Sequence, residues 1–183
     1  MRRALELHRD SISLDAARIE VRVERLPPDQ LRLRYAVSGD IGALRLPRPT
    51  APTRADELWR TTCFEAFIRP TEGPAYYEFN FAPSTRWAVY GFSDRRTGMR
   101  VAAEIAPPRI EVRSDAAGLE LQATLKLVEP AFPRDRPWRL GLSAVIEDIG
   151  GGKSYWALAH PPGPPDFHHP DVLILELAAP GSS

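Results

Sequence analysis

The chain has 183 residues, 24 basic and 24 acidic, and a formal net charge of zero, which at this length predicts one domain spanning 1–183. A surface built to neutralise phosphates needs an excess of Lys and Arg, so neither nucleic acid nor a membrane is expected as a partner. Nineteen prolines disfavour a helical bundle, because proline is excluded from helix interiors, while a 43% hydrophobic content is enough for a packed core.

Among the basic residues only Lys126 and Lys153 are not Arg, an imbalance that codon bias explains as well as anion recognition does. The single cysteine, Cys63, excludes an internal disulfide and a Cys-rich zinc site, and its apolar neighbours predict a buried thiol. The N-terminal stretch lacks the apolar run of a signal peptide. The longest aliphatic run, Val172 to Leu175, is far shorter than the roughly 20 residues that span a bilayer. A soluble, cytoplasmic protein is expected.

In chain order, the dominant periodicity is two. Ile19, Val21 and Val23 alternate with charged residues, as do Leu31, Leu33, Tyr35 and Val37, and Pro27-Pro28-Asp29 supplies the turn of a hairpin between them. Residues 46–53 carry three prolines and read as a loop, with at most a short helical turn at 55–59. Three aromatic strands follow, Cys63 to Arg69, Tyr76 to Phe81 and Trp87 to Phe92. Asp94 to Gly98 reads as a charged turn, Arg109 to Arg113 as a short strand, and 114–118 as a second hairpin turn leading into the clean alternation of Leu119 to Leu127. Trp138 to Ile146, Ser154 to Leu158 and Val172 to Leu177 complete the set, with the rigid segment Pro161-Pro162-Gly163-Pro164-Pro165 before the last strand. About ten short alternating strands without an amphipathic helix predict an all-β, two-sheet antiparallel sandwich of jelly-roll or immunoglobulin-like type. Each half-buried strand leaves a polar face, where a sandwich can hold a ligand.

Several residues do not fit simple packing. Glu65 sits mid-strand between apolar neighbours, where a charge is costly unless it is paired or meets a ligand. In the next strand Tyr77, Phe79 and Phe81 form one face and Tyr76, Glu78 and Asn80 the other. An indole face can stack on a sugar or a flat cofactor. Trp138 belongs with the core leucines, whereas Trp59 lies outside any periodic pattern and Trp156 shares a face with Leu158. His160, His168 and His169 lie in one proline-stiffened segment, but adjacent histidines on an extended chain point apart and no zinc spacing is present, so a structural loop is favoured over a metal site. Nucleophile-elbow, phosphate-loop and dinucleotide motifs are missing, and Gly150 to Ser154 reads as a hairpin turn. Glu65, Glu78, Glu147 and Asp148 could meet in space as paired carboxylates.

Three blocks carry a resemblance: Leu58-Trp59-Arg60-Thr61-Thr62-Cys63-Phe64-Glu65-Ala66-Phe67; Tyr77-Glu78-Phe79-Asn80-Phe81-Ala82-Pro83-Ser84 with Trp87-Ala88-Val89-Tyr90; and Ser154-Tyr155-Trp156-Ala157-Leu158 with Pro165-Asp166-Phe167-His168-His169. They resemble the bacterial DOMON-like domains, which are related to family-9 carbohydrate-binding modules and also occur beside a UDP-N-acetylmuramate dehydrogenase. The resemblance implies a noncatalytic domain for a small ligand, a sugar or sugar derivative, with Trp59 and Trp156 as stacking walls. Glu65, Glu78, Asn80 and Arg86 would bind its hydroxyls. It also implies one alternative, haem held by Met99 with His160, His168 or His169. The carboxylates themselves leave a second, a carbohydrate-active enzyme using Glu65 and Glu78. The leading reading needs no cofactor.

Overall fold

The structure is a computed structural model that describes residues 1–12 and 15–179; the last four residues of the expected domain span lie outside it. Thirteen strands are present among the described residues, named here in chain order. One sheet contains β1 (Arg2–Ala4), β3 (Ala16–Leu26), β4 (Gln30–Gly39), β10 (Leu119–Lys126) and β9 (Arg109–Ser114), in the order β1-β3-β4-β10-β9. The other runs β2-β12-β11-β5-β6-β7-β8, from β2 (Glu6–Leu7), β12 (Lys153–Ala157) and β11 (Trp138–Glu147) through β5 (Cys63–Arg69), β6 (Tyr76–Phe81) and β7 (Trp87–Phe92) to β8 (Arg100–Val101), while β13 (Leu175–Leu177) pairs with the start of β11. All the paired strands are antiparallel.

The β-sandwich expected from periodicity is the architecture found. Its core lies between the sheets. Ile19, Val21, Leu31, Leu33, Leu121 and Leu125 from the smaller sheet meet Phe64, Ile68, Phe79, Phe81, Leu140 and Ile146 from the larger one, all buried. Tyr35 crosses this core and its hydroxyl donates to the backbone carbonyl of Glu65 at 2.7 Å, which ties β5 to the opposite sheet at the residue most relevant to the site. The outer face of the smaller sheet is solvated and carries a lattice of ion pairs, among them Arg18–Glu20, Arg22–Glu24 and Arg34–Glu120. Many of the arginines are accounted for there.

The larger sheet departs from the half-solvated expectation. Its central strands are buried on both faces, because a second apolar cluster covers the outside: Leu58, Phe67, Tyr76, Tyr90, Phe92, Val172 and Leu173 pack there with Cys63. Two segments outside the sheet contribute to that cover. One leads into the 3-10 turn Leu58–Arg60 and brings Ala55 and Leu58; the other runs from 159 through the 3-10 turn Pro170–Val172 and brings Phe167, Val172 and Leu173. Proline at the start of that last turn shortens the predicted Val172 to Leu177 strand to Leu175–Leu177. The short strands β1, β2 and β8 went unpredicted, having only two or three residues each. No helix among the described residues is long and apolar enough to cross a membrane.

Candidate functional site

Alternation along β5 and β6 places Glu65 and Glu78 on the outer face of the larger sheet. Glu65 is directly opposite Asn80 and Glu78 opposite Phe67, so the two carboxyl groups are diagonal neighbours on one face. They form the floor of a concavity of about 420 Å³. The 3-10 turn contributes Trp59 and Arg60 to its wall, β7 and the following turn contribute Phe92, Arg96 and Met99, and the 159–169 segment contributes Phe167 and His168. Lys153 and Tyr155 of β12 line it from the far side. Trp59 is 38% exposed, and its ring meets the Tyr90 ring edge-on at 6.4 Å.

The floor is a polar network beneath walls of mixed aromatic and cationic side chains. Glu65 is 3% and Glu78 5% exposed. Ser143 Oγ donates to Glu65 Oε2 at 3.2 Å, and Asn80 Nδ2 donates to Glu78 Oε1 at 2.8 Å. Asn80 in turn accepts from the Cys63 thiol. Burial raises the pKa of both carboxyl groups; the charge of Glu78 raises Glu65 further, while Ser143 and the more distant Arg96 oppose the rise at Glu65. At Glu78 the opposing influences are Asn80 and Arg96. The physical cause is loss of water around an ionised carboxylate with no guanidinium in direct contact.

His168 closes one side. The Arg96 N–H donates to the Tyr76 hydroxyl, which lies 2.8 Å from His168 Nδ1. A hydroxyl that accepts from Arg96 keeps its own proton for Nδ1, and in that tautomer the ring proton sits on Nε2. Nε2 lies 3.7 Å from Glu78 Oε2. Burial against Phe67 and Phe92, reinforced by the nearby Arg96 cation, pulls the His168 pKa down to about 4. The ring is therefore neutral near pH 7 and the contact with Glu78 is polar rather than an ion pair. Asp166 ties the rim together. It bonds the guanidinium groups of Arg95 and Arg96 and accepts from the His168 backbone N–H at 3.1 Å. Burial opposes its charge, but the two arginines outweigh that and hold it below the usual carboxylate range. Arg96 adopts a left-handed backbone conformation in this turn, and at Gly98, also left-handed, a Cβ would sit 2.3 Å from Ser93 Oγ. The turn thus favours glycine there.

Of the residues singled out from sequence, the structure brings Trp59, Glu65 and Glu78 to the concavity and places Asn80 beneath Glu78 as its donor. Trp156 does not form the opposite wall. It points into the inter-sheet core, is 4% exposed, and its indole N–H donates to Ser154 Oγ. Arg86 is exposed at the β6–β7 turn and does not line the concavity. Tyr155, one residue from Trp156, takes the place of the missing wall, since a shift by one residue changes the sheet face. Arg96, Phe92, Tyr155 and Phe167 were missed by sequence reasoning; only the face of β12 was recoverable, from the matching core positions of β11.

The histidine segment holds no metal arrangement: among the described residues no group of three or more His, Cys, Asp or Glu side chains could hold an ion. His160 Nε2 bonds the Glu6 carbonyl, and His169 Nδ1 accepts from Asp171 N–H. Met99 and His168 do line the same concavity, yet haem does not fit them. His168 Nδ1 is engaged by Tyr76, and Nε2 faces Glu78 across a floor of two carboxyl groups. A second hollow of about 660 Å³ beside Arg69, Arg139 and Glu176 has no aromatic side chain in its lining.

No sequence family and no curated protein matches the chain. Solved structures do. A candidate carbohydrate-binding protein from Bacteroides uniformis superposes with a TM-score of 0.64 at 14% identity, over 94% of this chain and 83% of that one. A family-9 carbohydrate-binding module from Caldicellulosiruptor kristjanssonii in complex with cellotriose gives 0.53 at 8% identity, over 87% and 74%. The glucose complex of a family-9 module from the same organism gives 0.53 at 9%, over 91% and 78%. At such identities the likeness is one of fold, and the chain shares the β-sandwich of these carbohydrate-binding structures.

Proposed function

We propose that residues 1–183 act as one binding domain whose outer-face concavity takes a small neutral sugar or sugar derivative. Trp59 stacks on the apolar face of the ring, and Glu65 and Glu78 bind its hydroxyls, with Asn80 orienting Glu78. The observation that carries this reading is the pairing of a half-exposed indole with two buried carboxyl groups in one hollow of about 420 Å³. Ligand sites combine apolar walls with a few placed polar groups in this way, and the fold likeness to proteins named for carbohydrate binding supports it. The neutral overall charge agrees with a polyol better than with a polyanion.

Calorimetric titration with reducing monosaccharides and cello-oligosaccharides tests the proposal. Binding by the wild type and a loss of about tenfold or more in Trp59→Ala, equivalent to about 1.4 kcal/mol, is the expected result. No heat with any sugar, or an unchanged affinity in the variant, would overturn it.

A further inference from the structure

The hollow of about 660 Å³ lies where β5 ends and β11 begins, and the sugar reading makes no use of it. Ile68, Leu140, Leu175 and Leu177 belong to the inter-sheet core, so alternation turns Arg69, Arg139 and Glu176 to the outer face of the larger sheet. Register sets these three in a row across adjacent strands, with Arg139 opposite Arg69 on one flank and opposite Glu176 on the other. Two guanidinium groups directly opposite each other repel, and here no carboxylate answers them. Neither the Arg69 nor the Arg139 side chain makes a hydrogen bond or ion pair among the described residues, and Arg69 Nε is buried without a partner. Glu176 and Glu72, which line the same hollow, are equally unpaired there. On the smaller sheet the same residue types do pair, Arg22 with Glu24 and Arg34 with Glu120. Two cations and two carboxylates left unpaired in one hollow are thus a local departure rather than a habit of the chain.

The wall of the hollow is fixed. Arg25 donates to the backbone carbonyls of Pro133, Arg134 and Arg136 and to that of Ala178, and its guanidinium lies 3.6 Å from the centre of the Trp138 ring. One cation therefore clamps the segment that carries Asp135 and Arg136 to the chain just after β13. Asp135 and Arg136 lie 3.6 Å apart as an ion pair, which leaves Arg69, Arg139, Glu72 and Glu176 as the charged groups open to a ligand. From this arrangement we infer that the hollow binds a small zwitterion, a polar amino acid, whose carboxylate bridges Arg69 and Arg139 and whose ammonium group meets Glu176 and Glu72. A guanidinium fork holds a carboxylate through two parallel hydrogen bonds, and an anion placed between two arginines replaces their repulsion by attraction. The lining carries as many acidic as basic side chains, so a dianion such as phosphate gains from one pair of groups and is repelled by the other. No aromatic side chain lines the hollow, so the ligand is held by its charged ends rather than by stacking. The site shares no lining residue with the sugar concavity and stands whether or not a sugar binds there.

Amide-shift titrations of the full chain with L-serine, L-threonine, L-glutamine and L-glutamate test the inference, with acetate, ethanolamine and phosphate as controls. At least one amino acid should give saturable shifts at Arg69, Gly73, Arg139 and Glu176, and acetate, ethanolamine and phosphate should each bind at least tenfold more weakly. Arg69→Gln and Arg139→Gln should each weaken the amino acid by about tenfold or more, with urea midpoints reporting folding separately. The double variant Glu72→Gln with Glu176→Gln should lose the preference for the amino acid over acetate. No saturable shift at these positions with any of the four amino acids overturns the inference. So does a control that binds as tightly as the best amino acid, unchanged affinity in both arginine variants, or a preference over acetate that survives the double variant.

Discussion

Asp166 offers a test of how the concavity is held open and shaped. Its carboxylate joins the 93–99 turn, through Arg95 and Arg96, to the segment that carries Phe167 and His168. The two guanidinium side chains are 47% and 59% exposed, which limits each pair to about 0.2–1 kcal/mol. The bond to the His168 N–H adds about 1 kcal/mol. Asp166→Ala should therefore loosen the tie by about 2 kcal/mol, which raises local opening roughly 30-fold. Amide hydrogen exchange at Arg96, Thr97 and His168 measures this directly. Asp166→Asn keeps an acceptor for the His168 N–H but loses both charge pairs, so protection should return at His168 and not at Arg96. Salt should weaken the tie in the wild type, because half-exposed pairs are screened. Unchanged exchange at all three amides in Asp166→Ala would refute the view that this carboxylate fixes the rim.

The pH dependence of stability has a definite sign. Burial raises the pKa of Glu65 and Glu78 above the ordinary 4.5, so the native chain binds more protons than the unfolded one above that range. Urea midpoints should fall as pH rises beyond 6.5, with a slope of up to about 1.4 kcal/mol per pH unit per proton, and Glu65→Gln should flatten the profile; a wild-type profile that rises with pH would contradict this. His168 contributes stability above 6.5 that is lost as pH falls toward its lowered value of about 4, so it leaves the alkaline window clean. Trp156→Ala should cost about 3–5 kcal/mol as a core truncation, while Trp59→Ala should cost about 1 kcal/mol or less, and chemical denaturation separates the two. Cys63 is fully buried, and burial followed by the charge of Glu65 pushes its thiol pKa up. An aromatic disulfide reagent should leave it intact in the native protein and titrate it only after unfolding. Tyr35→Phe leaves the Glu65 carbonyl without its 2.7 Å donor in the core and should cost about 1–2 kcal/mol by denaturation.

The sandwich was legible because period-two alternation survives wherever one strand face is solvated. Ile19 to Val23 against Glu20 to Glu24, and Leu119 to Leu125 against Glu120 to Thr124, lie on the smaller sheet, whose outer face meets water. The central strands of the larger sheet are buried on both sides, and there alternation no longer tells which face is the core. Glu65 and Glu78 still stood out, since a carboxyl group among aromatics is anomalous under any packing. Trp156 misled for the opposite reason: an indole fits a core as well as a binding wall, and only its pairing with Ala144 places it inside. Arg96, Phe92 and Phe167 come from segments whose meeting depends on Asp166 bridging positions 70 and 71 residues apart. Local pattern carries no trace of such a contact. The resemblance puts Arg86 at the site by its position before β7, but the residue is exposed and does not line the concavity.

Backbone amide shifts recorded during titration with a bound monosaccharide test the central claim most directly. The account predicts perturbations concentrated at Trp59, Glu65, Glu78, Arg96, Tyr155 and His168, with Arg86, Trp156 and the Arg69–Arg139 hollow unaffected. Shifts clustered instead around Arg69 and Arg139, or spread without a focus while the outer-face concavity stays silent, would contradict it.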